Sequence, residues 1–259
     1  VLGYQVVAVI VFIAGLYFSY DWLKNPFIGG FFENTLVLNG SDTRENGKHW
    51  ALYEQGFKQG DQLLSVNGTR IKSSDDLKNV LESAIVNQTV SVEMQPRVGE
   101  KKSVTVVLKS FSATDRIAYF ILPMSLSFIF LIISLWIFGL RRSEPAGRAF
   151  SMLTSSLAIA IGGLFELYTS HHFTYVWTLA IGMIGGALID LGLGFPQEAR
   201  VVIGRPYLRW IGYWVGAVLV LRAFGTLFDL KQPLAYVDAW LVIYGFTGLS
   251  ALFYFGTLI

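Results

Sequence analysis

Four ionisable residues interrupt stretches of the chain that are otherwise apolar: Glu166, Asp190, Arg222 and Asp238. Charged side chains inside apolar helices are costly and often mark ion pairs, cavities or transport paths. Glu166 and Arg222 fall at a similar depth by helix rise, so we predict that they pair, with Asp238 as the rival partner. Asp190 could bind a cation or a proton, or it could contact Arg200 or a hydroxyl group.

A second group that could do chemistry is the adjacent pair His171 and His172. Neighbouring imidazoles can seed a metal site or respond to pH near about 6.5. The chain has no Cys and one further histidine, His49, so we expect no metal and no cofactor.

The sequence lacks the motifs that intramembrane proteases require. A zinc protease would need His-Glu-x-x-His, which does not occur in the chain. A serine protease would need Gly-x-Ser-Gly with a histidine in another span. The nearest approach is Gly248-Leu249-Ser250-Ala251, and no histidine within the apolar stretches accompanies it. We expect no catalytic residues in this segment.

The composition indicates a membrane protein. The 259 residues are 53% hydrophobic and only 15% charged, against about 25% charged residues in soluble domains. About 20 mostly apolar residues span a bilayer, and six stretches qualify: 2–20, 117–140, 149–168, 175–195, 210–228 and 234–259. Trp and Tyr near their ends either anchor the helices at the interface or fill the bundle. The chain begins with Val and ends in an apolar run, and we expect it to be a fragment.

Loop charge predicts the orientation. Loops 141–148 and 196–209 hold six Arg, whereas loops 169–174 and 229–233 hold one Lys. Positive loops face the cytoplasm, so residues 21–116 lie outside and both visible termini inside. The expected location is the plasma membrane as a multi-pass protein. A net charge of +2 gives no reason to expect nucleic acid as a partner.

The segment 27–110 reads as a small α+β domain. Strands are predicted at 35–38, 62–66 and 69–71, the last two joined by Asn67-Gly68, a strong hairpin signal. Ser73 or Ser74 caps a helix over 75–84, and 89–94 and 103–108 alternate as two further strands.

This order resembles a bacterial PDZ domain of the kind found in HtrA and site-2 proteases. Its pattern, Gly-Leu-x-x-Gly-Asp-x-Ile-x-x-Val-Asn-Gly, is met by Gly56, Gly60, Asp61, Leu63, Val66, Asn67 and Gly68, with Phe57 where Leu is usual. Gly60 and Gly68 are expected at backbone angles that a Cβ opposes, and Asp61 is expected to tie down its turn.

The resemblance implies a peptide groove between the helix and one strand. Its lining would be Ile28, Gly29, Gly30, Phe31 and Phe32 from a carboxylate-binding loop, with Leu77, Val80 and Leu81 from the helix. For Leu77 and Leu81 a place in the core is the equal alternative. The long polar stretch 39–48 could obstruct or reshape this groove.

The cytoplasmic loops carry a second resemblance. Arg141-Arg142-Ser143-Glu144-Pro145-Ala146-Gly147-Arg148-Ala149-Phe150 and Leu193-Gly194-Phe195-Pro196-Gln197-Glu198-Ala199-Arg200 look like the membrane input region of competence-type sensor histidine kinases. The resemblance implies a kinase beyond residue 259 and a two-component system. We expect that this segment is not itself an enzyme. Whether the full-length chain is one depends on the expected kinase.

The predicted fold is an α-helical polytopic membrane protein of six spans with an inserted extracytoplasmic PDZ-like domain. It divides into a transmembrane helix 1–20, the PDZ-like domain 27–110 and a five-helix sensor bundle 117–259. The predicted function is a signal-input module that binds an extracytoplasmic peptide or other ligand, with the lipid bilayer as partner and a homodimer as one expectation. The alternative is a membrane scaffold or a transporter-like protein with a PDZ docking domain.

Overall fold

A computed structural model describes residues 1–41 and 49–258. Its long helices are α1 Leu2–Trp22, α5 Leu122–Arg141, α6 Pro145–Gly162, α8 Thr174–Gly194, α10 Ile211–Phe224 and α11 Ala235–Gly256. Short helices are α2 Ala51–Glu54, α3 Ser74–Glu82, α4 Ala113–Asp115, α7 Leu164–Leu167 and α9 Arg200–Gly204. A π-helical segment, Arg116–Ile121, joins α4 to α5, and a 3-10 turn, Pro206–Trp210, leads into α10.

Within residues 1–41 and 49–258, four helices are long and apolar enough to cross a membrane, not the predicted six: Leu2–Trp22, Ala113–Arg141, Thr174–Gly194 and Ala235–Gly256. The third predicted stretch, 149–168, breaks after Gly162 and carries four hydroxyl residues within α6. The fifth, 210–228, forms a helix of only 14 residues, because the chain enters it through the 3-10 turn and leaves it at Gly225.

The six long helices form one bundle around α6 and α8. Helix α8 contacts α6, α10 and α11, and α6 also contacts α1 and α5. Glycines let α8 and α10 approach closely: a Cβ on Gly216 would lie 2.6 Å from the carbonyl oxygen of Gly182. One on Gly212 would lie 3.1 Å from the Cα of Gly186. Small residues at such crossings are typical of membrane helices.

The segment between α1 and α4 forms a β domain, residues 27–110. Its strands are β1 Gln62–Val66, β2 Thr69–Arg70, β3 Thr89–Gln95 and β4 Lys102–Val107, in an antiparallel sheet of order β2-β1-β3-β4. These strands confirm the predictions for 62–66, 69–71, 89–94 and 103–108 to within a residue or two. Residues 35–38 form no regular strand, only isolated bridges, of which one joins Val37 to Gln62.

Helix α3 covers one face of the sheet. The Ser73 hydroxyl accepts the Asp76 amide at 3.2 Å, so Ser73 is the cap. Leu81 is buried in the core with β1 and β3, and Leu77 and Val80 pack against that core half-buried.

The Gly-Asp turn before β1 also behaves as predicted. Gly60 has φ +92° and Gly68 φ +76°, backbone angles that L side chains oppose. The Asp61 carboxylate accepts the amides of Lys58 at 2.8 Å and Arg97 at 3.0 Å. Asp61 therefore holds two loops together.

Candidate functional site

The loop that resembles a carboxylate-binding loop, residues 28–32, lies against the helix bundle. Gly29 has φ +91°, and a Cβ there would lie 2.8 Å from the backbone nitrogen of Ala51. Phe31, only 1% exposed, lies outside the hydrophobic core of the sheet. Ile28 and Phe32 enter the domain core instead.

Phe31 is the centre of an aromatic cluster built from both parts of the chain. Its ring lies 5.8 Å from Trp22 at the end of α1, 5.9 Å from Phe165 in α7 and 5.8 Å from Tyr168. Its aromatic members among the described residues are Trp22, Phe27, Phe31, Trp50, Tyr53, Phe111, Tyr119, Phe120, Phe165 and Tyr168. Trp22 and Tyr168, expected near span ends, thus pack on the β domain. Large buried rings dominate interface energetics, so this cluster fixes the domain on the bundle.

The groove expected between loop 28–32 and α3 is covered by the bundle. A remnant cavity of about 20 Å³ is lined by Gly30, Phe31 and Leu77 on the domain side and by Tyr168, Thr169 and His171 on the bundle side. That volume is about enough for one water molecule and leaves no space for a peptide strand. Of the predicted groove residues, Gly29 and Val80 do not line the cavity. Of the polar stretch 39–48, which was expected to obstruct or reshape the groove, residues 42–48 lie outside the described residues.

Three further contacts join the domain to the bundle. The Lys78 ammonium on α3 lies 2.7 Å from the Asp21 carboxylate on α1. On the other side Val37 packs in the bundle core with Tyr236 and Trp240 of α11. The Thr35 hydroxyl also donates to the Pro233 carbonyl at 2.7 Å, so the domain is attached to both the first and the last helix.

The predicted Glu166–Arg222 pair does not form. Glu166 is fully buried in α7, where its carboxylate accepts the amides of His172 and Phe173 and the Ser170 hydroxyl. Arg222 faces outward in the last turn of α10, and Asp238 is exposed in the first turn of α11. In residues 1–41 and 49–258 neither makes an ion pair within 4.0 Å.

The two histidines have opposite environments. His171 is buried against the groove at φ +61°, with its Nδ1 atom unpartnered, and burial lowers its pKa from 6.5 to about 4. His172 is half-exposed, and its pKa is raised, chiefly by a hydrogen bond with Glu166. Across the described residues no three His, Asp or Glu side chains gather into a metal-binding group.

Asp190 lies at the opposite end of the bundle. The Tyr213 hydroxyl donates to it at 3.4 Å, and Arg209, rather than Arg200, lies 3.9 Å away. Arg209 also pairs with Glu198 at 2.5 Å. The hydroxyl bonds Oδ2, whereas Oδ1 faces Arg209 at 3.9 Å and has no hydrogen-bond partner.

Sequence reasoning missed a polar network inside the bundle. The Gln5 amide donates to the Ser134 hydroxyl at 2.9 Å, and Ser134 is 2.6 Å from the Ser155 hydroxyl. Tyr4 is bonded to Ser156 at 2.9 Å. The only sequence signal is the small polar residues of α6 at spacings of three and four, which place them on one face.

Comparison with known proteins agrees with this geometry for the β domain. A family model described as the PDZ domain matches residues 50–108. No curated protein matches the chain. The match includes the sheet and α3, while residues 27–49, which supply loop 28–32, precede it. Residues 50–108 are therefore a PDZ domain, a module of a class that binds peptides.

Proposed function

We propose that this chain is the membrane-embedded signal-input module of a bacterial sensor, in which the PDZ domain docks on the helices until an extracytoplasmic peptide or protein displaces it. The observation that supports this most is the position of Phe31. A residue of the loop expected to receive a terminal carboxylate is packed between Trp22 and Phe165 of the bundle.

A ligand can act as a signal only if it binds one conformation better than another. Here the groove and the bundle compete for the same surface, because Tyr168 and His171 cover the groove lining. A peptide therefore binds only the undocked state, and its binding energy moves the domain away from the helix ends. Both Asp21 on α1 and Pro233 before α11 lose their contacts in that change.

The orientation in this proposal follows the Arg-rich loops. The domain lies on the extracytoplasmic face of the plasma membrane, and both visible termini lie in the cytoplasm. This orientation requires α6 and α10 to cross together with the four helices that are long and apolar enough to do so. Alone they are about 27 and 21 Å long by helix rise, so the proposal has the short helical turns beside them extend them. Helix α11 leads to a histidine kinase domain, and pairing of two copies brings two kinases together.

The test is peptide binding by the whole chain in lipid nanodiscs. The probes are a library of decapeptides with free C-terminal carboxylates and the same library amidated. Tyr168→Ala removes a bundle residue from the groove cover and leaves the groove itself intact. Tyr175→Ala is the matched control, because Tyr175 packs on Phe224 and Phe228, away from the domain.

We expect free-carboxylate peptides to bind Tyr168→Ala at least about tenfold more tightly than the parent, equivalent to about 1.4 kcal/mol. Tyr175→Ala should behave like the parent. Spin labels at positions 24 and 79 should move apart when peptide binds. Equal binding by all three proteins, or no preference for the free carboxylate, contradicts the proposal. Peptide binding without movement would favour a docking scaffold.

A further inference from the structure

A cavity of about 600 Å³ separates the PDZ domain from the start of α11 and shares no lining residue with the groove. Its domain side includes Glu33, Leu38 and Arg97, and its helix side includes Leu234, Tyr236 and Asp238. Arg97 and Asp238 are exposed, so the cavity reaches the surface. It is large enough for a small molecule.

Glu33 is the feature of this cavity that needs an explanation. It is 8% exposed. Its Oε1 accepts the amide of Asn39, but its Oε2 is buried without a hydrogen-bond partner. A buried acceptor that stays unpaired destabilises the fold, because it has lost its hydrogen bonds to water. Such groups are few in native proteins, and each calls for an explanation such as a functional role, a bound ion or an ordered water.

We propose that this cavity binds a small ligand that carries a protonated amine and an apolar body, with the ammonium group on Glu33. The carboxylate supplies the counter-charge, and its unpartnered Oε2, which is buried in the free protein, becomes an acceptor when the side chain turns toward the ligand. The Tyr236 ring in the same wall suits a cation, since aromatic faces attract ammonium groups. Pro233, Leu234 and Val237 line the cavity as well; each is at least partly exposed, and they offer apolar surface for the rest of the ligand.

The other titratable and charged groups around Glu33 are compatible with an ammonium group bound to it. Tyr168, Tyr236 and Tyr244 are the titratable groups that interact with it electrostatically from the bundle. Arg97 is the one guanidinium that lines the cavity among the described residues. It is solvent-exposed, and no ion pair within 4.0 Å joins it to Glu33. Asp238 adds a second carboxylate at the rim.

Ionisation of Glu33 gives the site a pH signature. Burial raises the pKa of Glu33 to about 7, opposed by the hydrogen bond from Asn39. A cation prefers the ionised carboxylate, so its affinity should rise as pH rises through this value. From pH 6 to pH 8 the ionised fraction grows roughly tenfold, and the association constant should follow it.

The test uses hexylammonium chloride as probe and the chain in nanodiscs, by calorimetric titration with empty nanodiscs subtracted. We expect saturable binding at pH 8 and an association constant roughly tenfold lower at pH 6. Glu33→Gln should weaken binding at least about tenfold. Glu54→Gln, which changes an exposed carboxylate of α2, should leave it unchanged. 1-Hexanol, a neutral probe, should not distinguish Glu33→Gln from the parent.

Three results would overturn the proposal: no saturable hexylammonium binding, equal affinity in Glu33→Gln, or an affinity that does not change between pH 6 and pH 8. The pH series uses the unmodified chain, so it decides the matter even if Glu33→Gln fails to fold. Peptide binding at the groove does not enter any of these readouts, and failure here leaves the docking proposal standing.

Discussion

The ring of His172 stacks on the ring of Phe18 in α1, with centroids 4.4 Å apart and planes 6° from parallel. The same imidazole lies 3.4 Å from Glu166. The turn between α7 and α8 is therefore held on one side by an aromatic ring and on the other by a buried carboxylate. This arrangement explains how a polar turn is fixed beside an apolar helix.

Replacing that carboxylate should loosen the turn. In Glu166→Gln the side chain keeps one oxygen but presents an amide to the backbone donors of His172 and Phe173. Losing charge-assisted hydrogen bonds should lower the free energy of unfolding by about 2–3 kcal/mol. The pKa of His172 should fall, because its main partner loses its charge. Denaturant unfolding in detergent and an NMR titration of labelled histidines measure the two effects.

The control for this change is Glu144→Gln, which removes an exposed ion pair with Arg141. Such pairs contribute at most about 1 kcal/mol, and the pKa of His172 should stay where it is. Equal costs for the two substitutions would mean that the amide contacts of Glu166 contribute nothing.

His171 should make the protein sensitive to acid. Its pKa is near 6.5 when unfolded and about 4 when folded. Between these values the unfolded state binds more protons, so stability falls as pH drops, by at most about 1.4 kcal/mol per unit. His171→Asn suits the positive φ and removes this loss. Unfolding midpoints of both proteins at pH 7 and pH 5 test the difference.

His172 should act in the opposite sense. Because its folded pKa is raised, the stability it contributes is present below about pH 6.5 and is lost as pH rises through the raised value. His172→Asn should therefore flatten the alkaline side of the stability profile. Identical profiles for the parent and both variants would refute these assignments.

The crossing of α8 and α10 should not tolerate a methyl group. In Gly216→Ala the new Cβ would lie 2.6 Å from the carbonyl oxygen of Gly182, so the helices must separate, at a cost of about 1–3 kcal/mol. Gly245→Ala is the control on α11, where a Cβ meets nothing within 4 Å. Thermal unfolding in detergent compares them. A Gly216→Ala protein as stable as Gly245→Ala would disprove the close crossing.

Cysteine labelling tests the proposed orientation, and the chain has no background cysteine. Val98 is 92% exposed in the turn between β3 and β4, and Ser143 is exposed between α5 and α6. An impermeant maleimide added to intact cells should label Val98→Cys but not Ser143→Cys. The reverse labelling pattern would invert the topology.

The local parts of the fold could be predicted from the sequence. Asn67-Gly68 sets the turn after β1, and the Ser73 cap with two following Asp residues sets the start of α3, since both signals act over a few residues. The packing of the long helices against one another could not be predicted in this way. A uniformly apolar helix carries little information on which side faces its neighbours, so depth alone placed Glu166 with Arg222.

The covered groove was also beyond the sequence. The residues that cover it, Tyr168 and His171, lie well over 100 positions from the loop they meet. The residues around Phe31 in the sequence do not show whether its side chain lines an open peptide groove or packs on Trp22. Glu33 was missed for a related reason: it is the bundle, together with the domain, that buries it.

The ion pair of Lys78 with Asp21 has a mechanical consequence. The PDZ domain is continuous with α1 through four residues, 23–26, and Lys78 clamps it to the same helix end a second time. Two attachment points remove the freedom to pivot that a single linker would leave. A tilt of the domain would therefore rotate α1 about its axis. That rotation would shift the face of α1 that carries Gln5 relative to α5, at the other end of the helix.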